Sequence, residues 1–485
     1  MLSALDLLVL VGYLGAVLGV GFWFARTSGN TAEFTAASRS LPGWAIGLSM
    51  FGSYISSISF LANPGKAYAD NWNAFVFSLA APFAAAVAVR WFVPFYRRSG
   101  HISAYEHLEQ RFGLWARTYA VVCFMLYQMA RMGTVIYLLA LAANPLTGWG
   151  VPATIVVTGA LMTIYTMAGG IKAVVWVGVL QSAVLMAGTL LAIAMLLIKT
   201  PGGVSEIVEA GAAADKFSLG GFDASLYAPT FWVVLVFGLV THLTNFGVDQ
   251  SYVQRYITAR DDREAVKSVW ITALLYVPVA AVFFFIGTGL FVFYGQRPEL
   301  LASGMKADDV FPHFIATQLP VGAAGLVVAA IFAASMDSNL SSMATLTLCD
   351  LYQRYLRPQA AEREAMRVLH LSTLVWGAIS VGVALALMRV GTALDAWWQL
   401  AGMLSGGVLG LFLLGLVSRR PDNAAGAIAV VTGALVILWM SLPSLVELPA
   451  SVRNPLHSHM TIVVGTLTIF LVGMAISTLR RAFGP

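Results

Sequence analysis

Charged residues are scarce in this 485-residue chain: Asp, Glu, Lys and Arg make up only 11% of it, against 59% hydrophobic residues. A soluble protein of this size needs far more charge to cover its surface, so the composition is typical of a membrane protein. Cysteine is almost absent as well. Only Cys123 and Cys349 are present, and both fall in or beside apolar segments, so we expect no structural disulfide.

The chain also lacks the short motifs of common catalytic sites. It contains no HExxH zinc-protease motif, no G-x-S-x-G nucleophile elbow, no CxxC pair and no phosphate-binding loop. His242 is a lone histidine inside an apolar segment, where a packing contact is the more common role. We therefore predict that the protein is not an enzyme.

What the chain has instead is a series of long apolar runs. A bilayer core needs about 20 apolar residues per helix, and on that measure the sequence predicts an all-α membrane protein with about thirteen transmembrane helices. Most of the 28 Lys and Arg residues fall in every second loop, beginning after the first helix. The positive-inside rule then places the N-terminus outside and the C-terminus in the cytoplasm. This distribution accounts for the net charge of +5 without a nucleic-acid partner.

Two of the predicted helices are interrupted by polar residues. "FGSYISSISFLANPGKAY" (51–68) has four serines within seven residues and then Pro64-Gly65, which we expect to end the helix at the outer mouth. "THLTNFGVDQSYVQRY" (241–256) has polar residues and a glycine at membrane depth. Such backbone is tolerated in a membrane only where protein or a wet cavity satisfies it. A pair of interrupted segments in corresponding positions indicates a transporter with inverted repeats.

These interruptions divide the chain into two comparable halves within a single domain, residues 1–485. The predicted parts are one extra helix at 4–25, a first five-helix half at 42–198, a second at 228–417, and two helices within 424–479. The loop between the halves is rich in Gly and Ala, and we expect it to cap the outer mouth.

The serine cluster of the first interrupted segment suggests a cation site. Ser56 and Ser59 are three residues apart and share a helix face with Gly52 and Ile55. An unwound turn there would leave the carbonyl oxygens of Gly52 and Ile55 free, and hard cations bind oxygen ligands. The alternative is that each serine only packs and bonds back to its own helix.

A second helix could supply the remaining cation ligands. In "AAIFAASMDSNLSSMATLTLCDLY" (329–352), Asp337 lies well inside an apolar run, where a carboxylate is expensive and indicates function. Its alternative role is an ion pair with a neighbouring helix. The residues on one face of this helix are Ile331, Ala334, Ser335 and Ser338.

Arg131 lies in the middle of the fourth predicted helix, about 18 Å from either end at 1.5 Å per residue. Snorkelling covers only part of that distance, so its side chain should face the interior or a cavity. A guanidinium can bind an anionic substrate through two parallel hydrogen bonds, and Gln128, one turn away, could add an amide donor. The alternative is a buried ion pair with Asp337 or Asp249.

Several long motifs, in the right order, resemble those of the sodium:solute symporter family over almost the whole chain. They are "EFTAASRSLPGWAIGLSM", "SSISFLANPGKAY", "AGGIKAVVWVGVLQ" (168–181), "VDQSYVQRY" (248–256) and "DSNLSSMATLTLCDLY". The resemblance implies the LeuT-like fold, a five-plus-five inverted repeat with extra helices at its ends. It also implies Na+ as the coupling ion.

Within the family, "ISSISFLANPGKAY" together with Arg131 is most similar to the bacterial sialic acid symporters. This resemblance implies that Ser56, Ser59 and Arg131 hold the substrate carboxylate. The common sodium site would then consist of the carbonyls of Gly52, Ile55 and Ile331 together with Ser335.

Three departures from the family pattern concern the same sites. A Thr-Asp pair whose aspartate supports a second sodium is replaced by Val177-Gly178, and a serine of the sodium helix is replaced by Ala334. A glutamine that helps to hold sialic acid corresponds to Ser78, which we keep as a candidate substrate contact. Asp337 stands where that branch has a hydroxyl. We hypothesise that this carboxylate, with Ser338 beside it, preserves an altered second cation site.

The sequence thus predicts a sodium-coupled secondary symporter that imports a small organic anion, with sialic acid as the leading substrate. Other carboxylates (monocarboxylates, pantothenate, amino acids) come next, and a neutral sugar last, because Arg131 would have no task there. A sensor or channel on the same fold is the alternative of another class. Sensor relatives carry a long signalling domain after the last helix, which is not seen after "LRRAFGP". We expect a multi-pass protein of the bacterial inner membrane with the bilayer, Na+ and the anion as partners, and no obligatory protein partner.

Overall fold

The computed structural model describes residues 2–26, 28–301, 304–336, 339–389, 407–418, 423–442, 449 and 453–483, without the side chains of 57, 58 and 481–483. In this part of the chain the structure is helical, with one isolated bridge between Leu41 and Ala259 and no β-strand. Among the described residues, ten helical stretches, each one helix or several consecutive helices, are long and apolar enough to cross a membrane, or eleven if one bent pair counts as a single span. The prediction of an all-α membrane protein is confirmed, and the protein is multi-pass.

The first half of the described chain contains the following helices: α1 (Ala4–Ala25), α2 (Thr31–Ala36), α3 (Gly43–Tyr54), α4 (Ser57–Ala69), α5 (Val76–Leu79), α6 (Ala81–Val87), α7 (Val93–Ser99), α8 (Glu106–Phe112), α9 (Leu114–Thr147), α10 (Val151–Lys199) and α11 (Gly203–Ala213). The second half contains α12 (Phe231–Val248), α13 (Gln250–Ile257), α14 (Asp262–Gln296), α15 (Ala307–Gln318), α16 (Ala323–Ser335), α17 (Leu340–Leu346), α18 (Glu362–Leu387), α19 (Gly407–Val417), α20 (Asn423–Ser441) and α21 (Met460–Phe483).

The first interrupted segment is a broken helix, as the sequence predicts. α3 ends at Tyr54, and Ile55 and Ser56 take extended backbone angles before α4 begins. The axes on either side of this break differ by 52°. The carbonyl groups of the last turn of α3 therefore have no following helical N–H groups to bind, which leaves them open to other partners.

Pro64 and Gly65 do not end the helix, so that prediction is wrong. α4 continues through Pro64 to Ala69. Gly287 of α14 lets the two backbones approach there, since a side chain at 287 would lie 2.2 Å from the Pro64 carbonyl oxygen. The end of α4 is instead capped by the ammonium group of Lys216, which donates hydrogen bonds to the carbonyls of Tyr68, Ala69 and Asp70 at 2.7–3.3 Å.

α10 is the longest helix and contains two predicted spans. Its 49 residues would extend about 74 Å as a straight helix, more than twice the thickness of a bilayer core. Gly170 divides it, with a φ of 55° that only glycine adopts readily. A side chain at this position would also lie 2.6 Å from the carbonyl oxygen of Phe34 in α2.

The second interrupted segment is also confirmed as a broken helix. α12 and α13 are separated by Asp249, whose backbone is extended (φ −76°, ψ 116°) and whose side chain caps α13 through the N–H of Ser251. The apolar run at 310–348, whose length predicts one span, is instead divided among α15, α16 and α17. α17 then continues as a wider, π-type helix to Leu356.

The extra N-terminal helix is attached to the second half of the chain through a buried carboxylate. Asp6 of α1 accepts hydrogen bonds at 2.7 Å from the backbone N–H groups of Gly322 and Gly325, at the start of α16. Helix N-termini leave such N–H groups unpaired and carry partial positive charge, so one carboxylate satisfies both needs. The thirteen-helix count stays a prediction, because residues 390–406 lie outside the described part.

Candidate functional site

Two arginines from different helices meet at Ser53, in the last turn of α3 before the break. Arg131 of α9 donates a hydrogen bond from Nη2 to the Ser53 carbonyl oxygen at 2.8 Å. Arg255 of α13 donates to the Ser53 hydroxyl and, at 3.2 Å, to the Ser49 carbonyl. The interior position predicted for Arg131 is confirmed, and its guanidinium is directed at the broken turn.

Sequence reasoning missed Arg255. Its place near the end of an apolar segment suggested a cytoplasmic loop residue, yet its side chain is only 1% exposed. The break at Asp249 starts a new short helix, and this helix carries Arg255 back toward α3 instead of out to the membrane surface. A buried cation of this kind needs several acceptors, and the carbonyl and hydroxyl groups at the end of α3 supply them.

The hinge cavity, as we name it, lies beside the break. Its lining residues are Ser53, Ser56, Arg131, Met132, Val135, Met162, Ala334, Ser335 and Asn339. It brings together three residues that the sequence singled out, namely Ser56, Arg131 and Ser335. Its volume is about 10 Å³, about enough for one water molecule. An organic substrate therefore needs the cavity to widen.

Among the predicted sodium ligands that the structure describes, Ser335 is the one that lines the hinge cavity. Gly52 and Ile55 are buried at the end of α3, while Ile331 and Ser335 are buried in α16. The Ser335 hydroxyl donates to the Ile331 carbonyl at 2.7 Å, which leaves its own oxygen lone pairs available to a cation. Such a set of carbonyl and hydroxyl oxygens suits a hard cation such as Na+. Asp337 and Ser338 lie outside the described residues.

The end of α16 is held in place by α10. The carbonyl oxygen of Met336 accepts hydrogen bonds from the Tyr165 hydroxyl at 2.8 Å and from Gln181 Nε2 at 3.0 Å. Both donors are buried, and both belong to α10. They fix Met336, the residue directly after α16 and next to the predicted sodium ligand Ser335.

The other predicted substrate ligands do not line the hinge cavity. Ser59 is half-buried in α4, and the Ser78 hydroxyl donates to the Phe75 carbonyl at 2.6 Å. Gln128 is fully buried in α9, where it bonds to Asp249 and Asn339. Their assignment as substrate contacts stays a prediction.

A second cavity, of about 40 Å³, lies on the other side of Gln128. It is lined by Tyr105, Cys123, Phe124, Tyr127, Thr241, Thr244, Asn245, Val248, Asp249, Val408 and Ile462. Asp249 belongs to this second cavity and Asn339 to the hinge cavity, so the side chain of Gln128 connects the two.

Gly178, which replaces the aspartate of the family motif, forms a close helix contact. A Cβ atom at this position would lie 2.4 Å from Ser49 Oγ and 2.9 Å from Ser49 Cα. α3 and α10 therefore approach each other at a distance that leaves no room for a carboxylate at 178. Ser182, one turn further along α10, donates to the Leu48 carbonyl at 2.6 Å and strengthens the same contact.

Several known proteins similar to this chain are sodium-coupled transporters. The sodium/sialic acid symporter SiaT of Proteus mirabilis (strain HI4320) is 33% identical over 95% of this chain and 94% of its own length. The sodium/sialic acid symporter NanT of Aliivibrio fischeri (strain ATCC 700601 / ES114) is 33% identical over 96% and 93%. The human sodium-coupled monocarboxylate transporter 1 is 27% identical over 93% of this chain and 76% of its own length.

Solved structures show the same relationship at the level of the fold. A Na+-coupled sialic acid symporter in a substrate-bound outward-open state superposes with a TM-score of 0.91, at 31% identity and 98% coverage of both chains. A nucleobase-cation-symport-1 transporter shares the fold at a TM-score of 0.56 and 16% identity, over 93% of this chain and 95% of its own. The predicted LeuT-like architecture is thus confirmed at the level of fold class.

The family model described as "Sodium:solute symporter family" matches residues 34–433, which is most of the chain. This range includes both broken helices, the hinge cavity and Arg131. The members of this family are transporters and not enzymes, and they couple transport to Na+. By this match and by its relatives, the chain belongs to the sodium:solute symporter family.

Proposed function

We propose that this protein imports sialic acid together with Na+. The observation that carries the proposal is the position of Arg131, whose guanidinium lines the hinge cavity and bonds to the Ser53 carbonyl at the break of α3. A carboxylate binds a guanidinium more strongly than a backbone carbonyl does, because both groups are charged and their shapes allow two parallel hydrogen bonds. Two similar proteins are named as sodium/sialic acid symporters, which identifies the leading anion.

Na+ would bind between α3 and α16, at the carbonyls of Gly52, Ile55 and Ile331 and the hydroxyl of Ser335. Ser56, Ser59 and Ser78 would contact the substrate. Asp337 and Ser338 stay candidates for an altered second cation site. We place the protein in a bacterial inner membrane, with its N-terminus outside and its C-terminus in the cytoplasm. We expect no obligatory protein partner.

Transport would follow from the two broken helices. Sodium at the end of α3 would join that helix to α16 and favour the state that is open to the outside. The anion would then bind at Arg131, and rocking of the two five-helix halves, 42–198 and 228–417, would open the site inward. The cytoplasm is low in sodium, so the ion would leave there and the anion would follow.

A monocarboxylate is the second candidate substrate, because a monocarboxylate transporter is also similar to this chain over most of its length. Both candidates require the guanidinium of Arg131 to hold a carboxylate. They differ in size and in the number of hydroxyl groups, so a direct comparison of ligands separates them.

The test is a thermal-shift screen of the purified protein with sialic acid, lactate, pantothenate, proline and glucose, each with and without Na+. We expect sialic acid to raise the melting temperature only when Na+ is present, and Arg131→Ala to abolish this shift. Arg260→Ala is the matched control, because the Arg260 side chain is 60% exposed and pairs with Glu264 at the surface. This variant should respond to the ligands as the wild type does.

Two results would contradict the proposal. Equal stabilisation by glucose, insensitive to Arg131→Ala, would exclude an anion as the substrate. Stabilisation by lactate but not by sialic acid would support a sodium-coupled anion symporter whose substrate is a monocarboxylate instead of sialic acid.

A further inference from the structure

Three buried side chains from three helical elements form a hydrogen-bonded chain between the two cavities. Asp249 Oδ1 accepts from the backbone N–H and the hydroxyl of Ser251, and its Oδ2 accepts from Gln128 Nε2 at 3.2 Å. Gln128 Oε1 in turn accepts from Asn339 Nδ2 at 2.8 Å. Gln128, Asp249 and Asn339 are at most 7% exposed.

The carboxylate at one end determines the orientation of both amides. An ionised Asp249 only accepts hydrogen bonds, so Gln128 has to direct its NH₂ group toward it. The carbonyl oxygen of Gln128 then faces Asn339, which has to donate with its own NH₂ group. The carbonyl oxygen of Asn339, Oδ1, therefore takes no part in this series of hydrogen bonds.

Asn339 Oδ1 is a buried acceptor for which no donor is present among the described residues. The side chain lines the hinge cavity together with Arg131 and Ser335, and it is 2% exposed. Buried acceptors without a donor are rare in native proteins, because they have lost water without a replacement. The cavity thus presents a cationic donor, Arg131, and a neutral acceptor, Asn339 Oδ1.

We propose that Asn339 Oδ1 accepts a hydrogen bond from a hydroxyl group on the carbon that carries the substrate's carboxylate. The inference rests on the proposed function, in which Arg131 holds that carboxylate. Arg131 and Asn339 line the same cavity, so a donor that reaches Asn339 lies close to a carboxylate that Arg131 holds. A cation is the alternative partner for this oxygen, and the sodium affinity measured without substrate distinguishes the two.

Asn339 therefore selects 2-hydroxy acids, a class that includes sialic acid in its cyclic form. A site with a buried acceptor rejects an analogue that lacks the matching hydroxyl, since the acceptor is then left without a partner. Asp249 is a positioning residue in this account. It contacts no substrate, but it directs Gln128 and, through Gln128, the oxygen of Asn339.

The experiment compares the sodium-dependent affinity for sialic acid and for its 2-deoxy analogue, and likewise for lactate and propionate, by calorimetry. We expect the wild type to bind the hydroxy acid of a pair about tenfold more tightly, and Asn339→Leu to reduce this ratio to about one. Asp249→Asn should also reduce the ratio, because an amide at 249 can donate and lets both neighbouring amides rotate. Thr241→Val is the matched control, since Thr241 lines the second cavity and is not one of the three hydrogen-bonded side chains. This variant should keep the wild-type ratio.

The outcomes separate this inference from the proposed function. Equal affinities within each pair for the wild type, or a tenfold ratio that survives in Asn339→Leu, would overturn the inference and leave the anion symporter intact. A loss of Na+ affinity without substrate in Asn339→Leu would assign Oδ1 to the cation and also overturn it. No sodium-dependent binding of any of the four acids would overturn the proposed function, and the inference with it.

Discussion

Ser53 binds both arginines: its carbonyl accepts from Arg131 and its hydroxyl accepts from Arg255. A substrate carboxylate that binds Arg131 has to compete with the Ser53 carbonyl for the same guanidinium. The neighbouring carbonyls of Gly52 and Ile55 are the predicted sodium ligands. Anion binding at Arg131 would therefore alter the turn that binds sodium, without any contact between the two ligands.

At this residue, the hydroxyl can be tested separately from the carbonyl. Ser53→Ala removes the acceptor of Arg255 and should lower the free energy of unfolding by about 1–3 kcal/mol, because a buried charged donor loses a partner. Ser268→Ala is the matched control, since the buried Ser268 hydroxyl donates to the Ala265 carbonyl of its own helix. Thermal unfolding in detergent measures both. Equal losses in the two variants would contradict a special role for Ser53.

The contact between α3 and α10 depends on Gly178, a position at which the family resemblance implies an aspartate. Gly178 lies against Ser49, and its lack of a side chain allows the two helices to approach closely. A larger residue at this position has to push α3 away, together with the predicted sodium ligands at its end. The same geometry explains why the aspartate of the family motif cannot simply be restored here.

Gly178→Ala should therefore destabilise the protein by about 1–3 kcal/mol through overpacking, and it should also weaken Na+ binding. Gly12→Ala in α1 is the control, since a side chain at position 12 has no atom within 4 Å. In that variant the higher helix propensity of Ala should leave stability unchanged or slightly increased. The measurements are melting temperature and sodium affinity, and a neutral Gly178→Ala variant would contradict the close contact.

In the whole molecule, α8 lies between α7 and α9 along the chain and packs against α7 and α19. His107 of α8 contacts the rings of Phe95 and Phe412, at centroid distances of 4.8 and 5.4 Å. Burial lowers the pKa of His107 to about 4, and the positive charge of Arg111 acts in the same direction. The folded protein thus holds this imidazole in its neutral form.

This shift makes stability depend on pH. Because the folded pKa is lower than that of the unfolded chain, near 6.5, the favourable contribution is complete above pH 6.5 and is lost as the pH falls toward 4. His107→Phe preserves the ring packing and removes the titration. Its melting temperature should decrease less than that of the wild type between pH 7 and pH 4.5. Parallel curves for the two proteins would exclude His107 as a source of the pH dependence.

The sequence allowed the prediction of those features that arise from local pattern. Polar residues inside an apolar run predicted both helix breaks, and the depth of Arg131 predicted its interior position. Arg255 and Asn339 were missed because their roles depend on long-range contacts: Arg255 reaches α3, and Asn339 bonds to Gln128 of α9. The prediction that α4 ends at Pro64 was wrong for the same reason. The close approach of α14 and the cap formed by Lys216 determine where α4 ends.

α10 contacts both helices that carry predicted sodium ligands, α3 and α16. It packs on α3 through Gly178, and it holds the Met336 carbonyl at the end of α16 through Tyr165 and Gln181. The ion itself would contact none of these residues. Substitutions in α10 can therefore change the affinity for sodium while every ligand of the ion is retained. When cells are selected for growth at low sodium, we expect adaptive substitutions to accumulate along this helix.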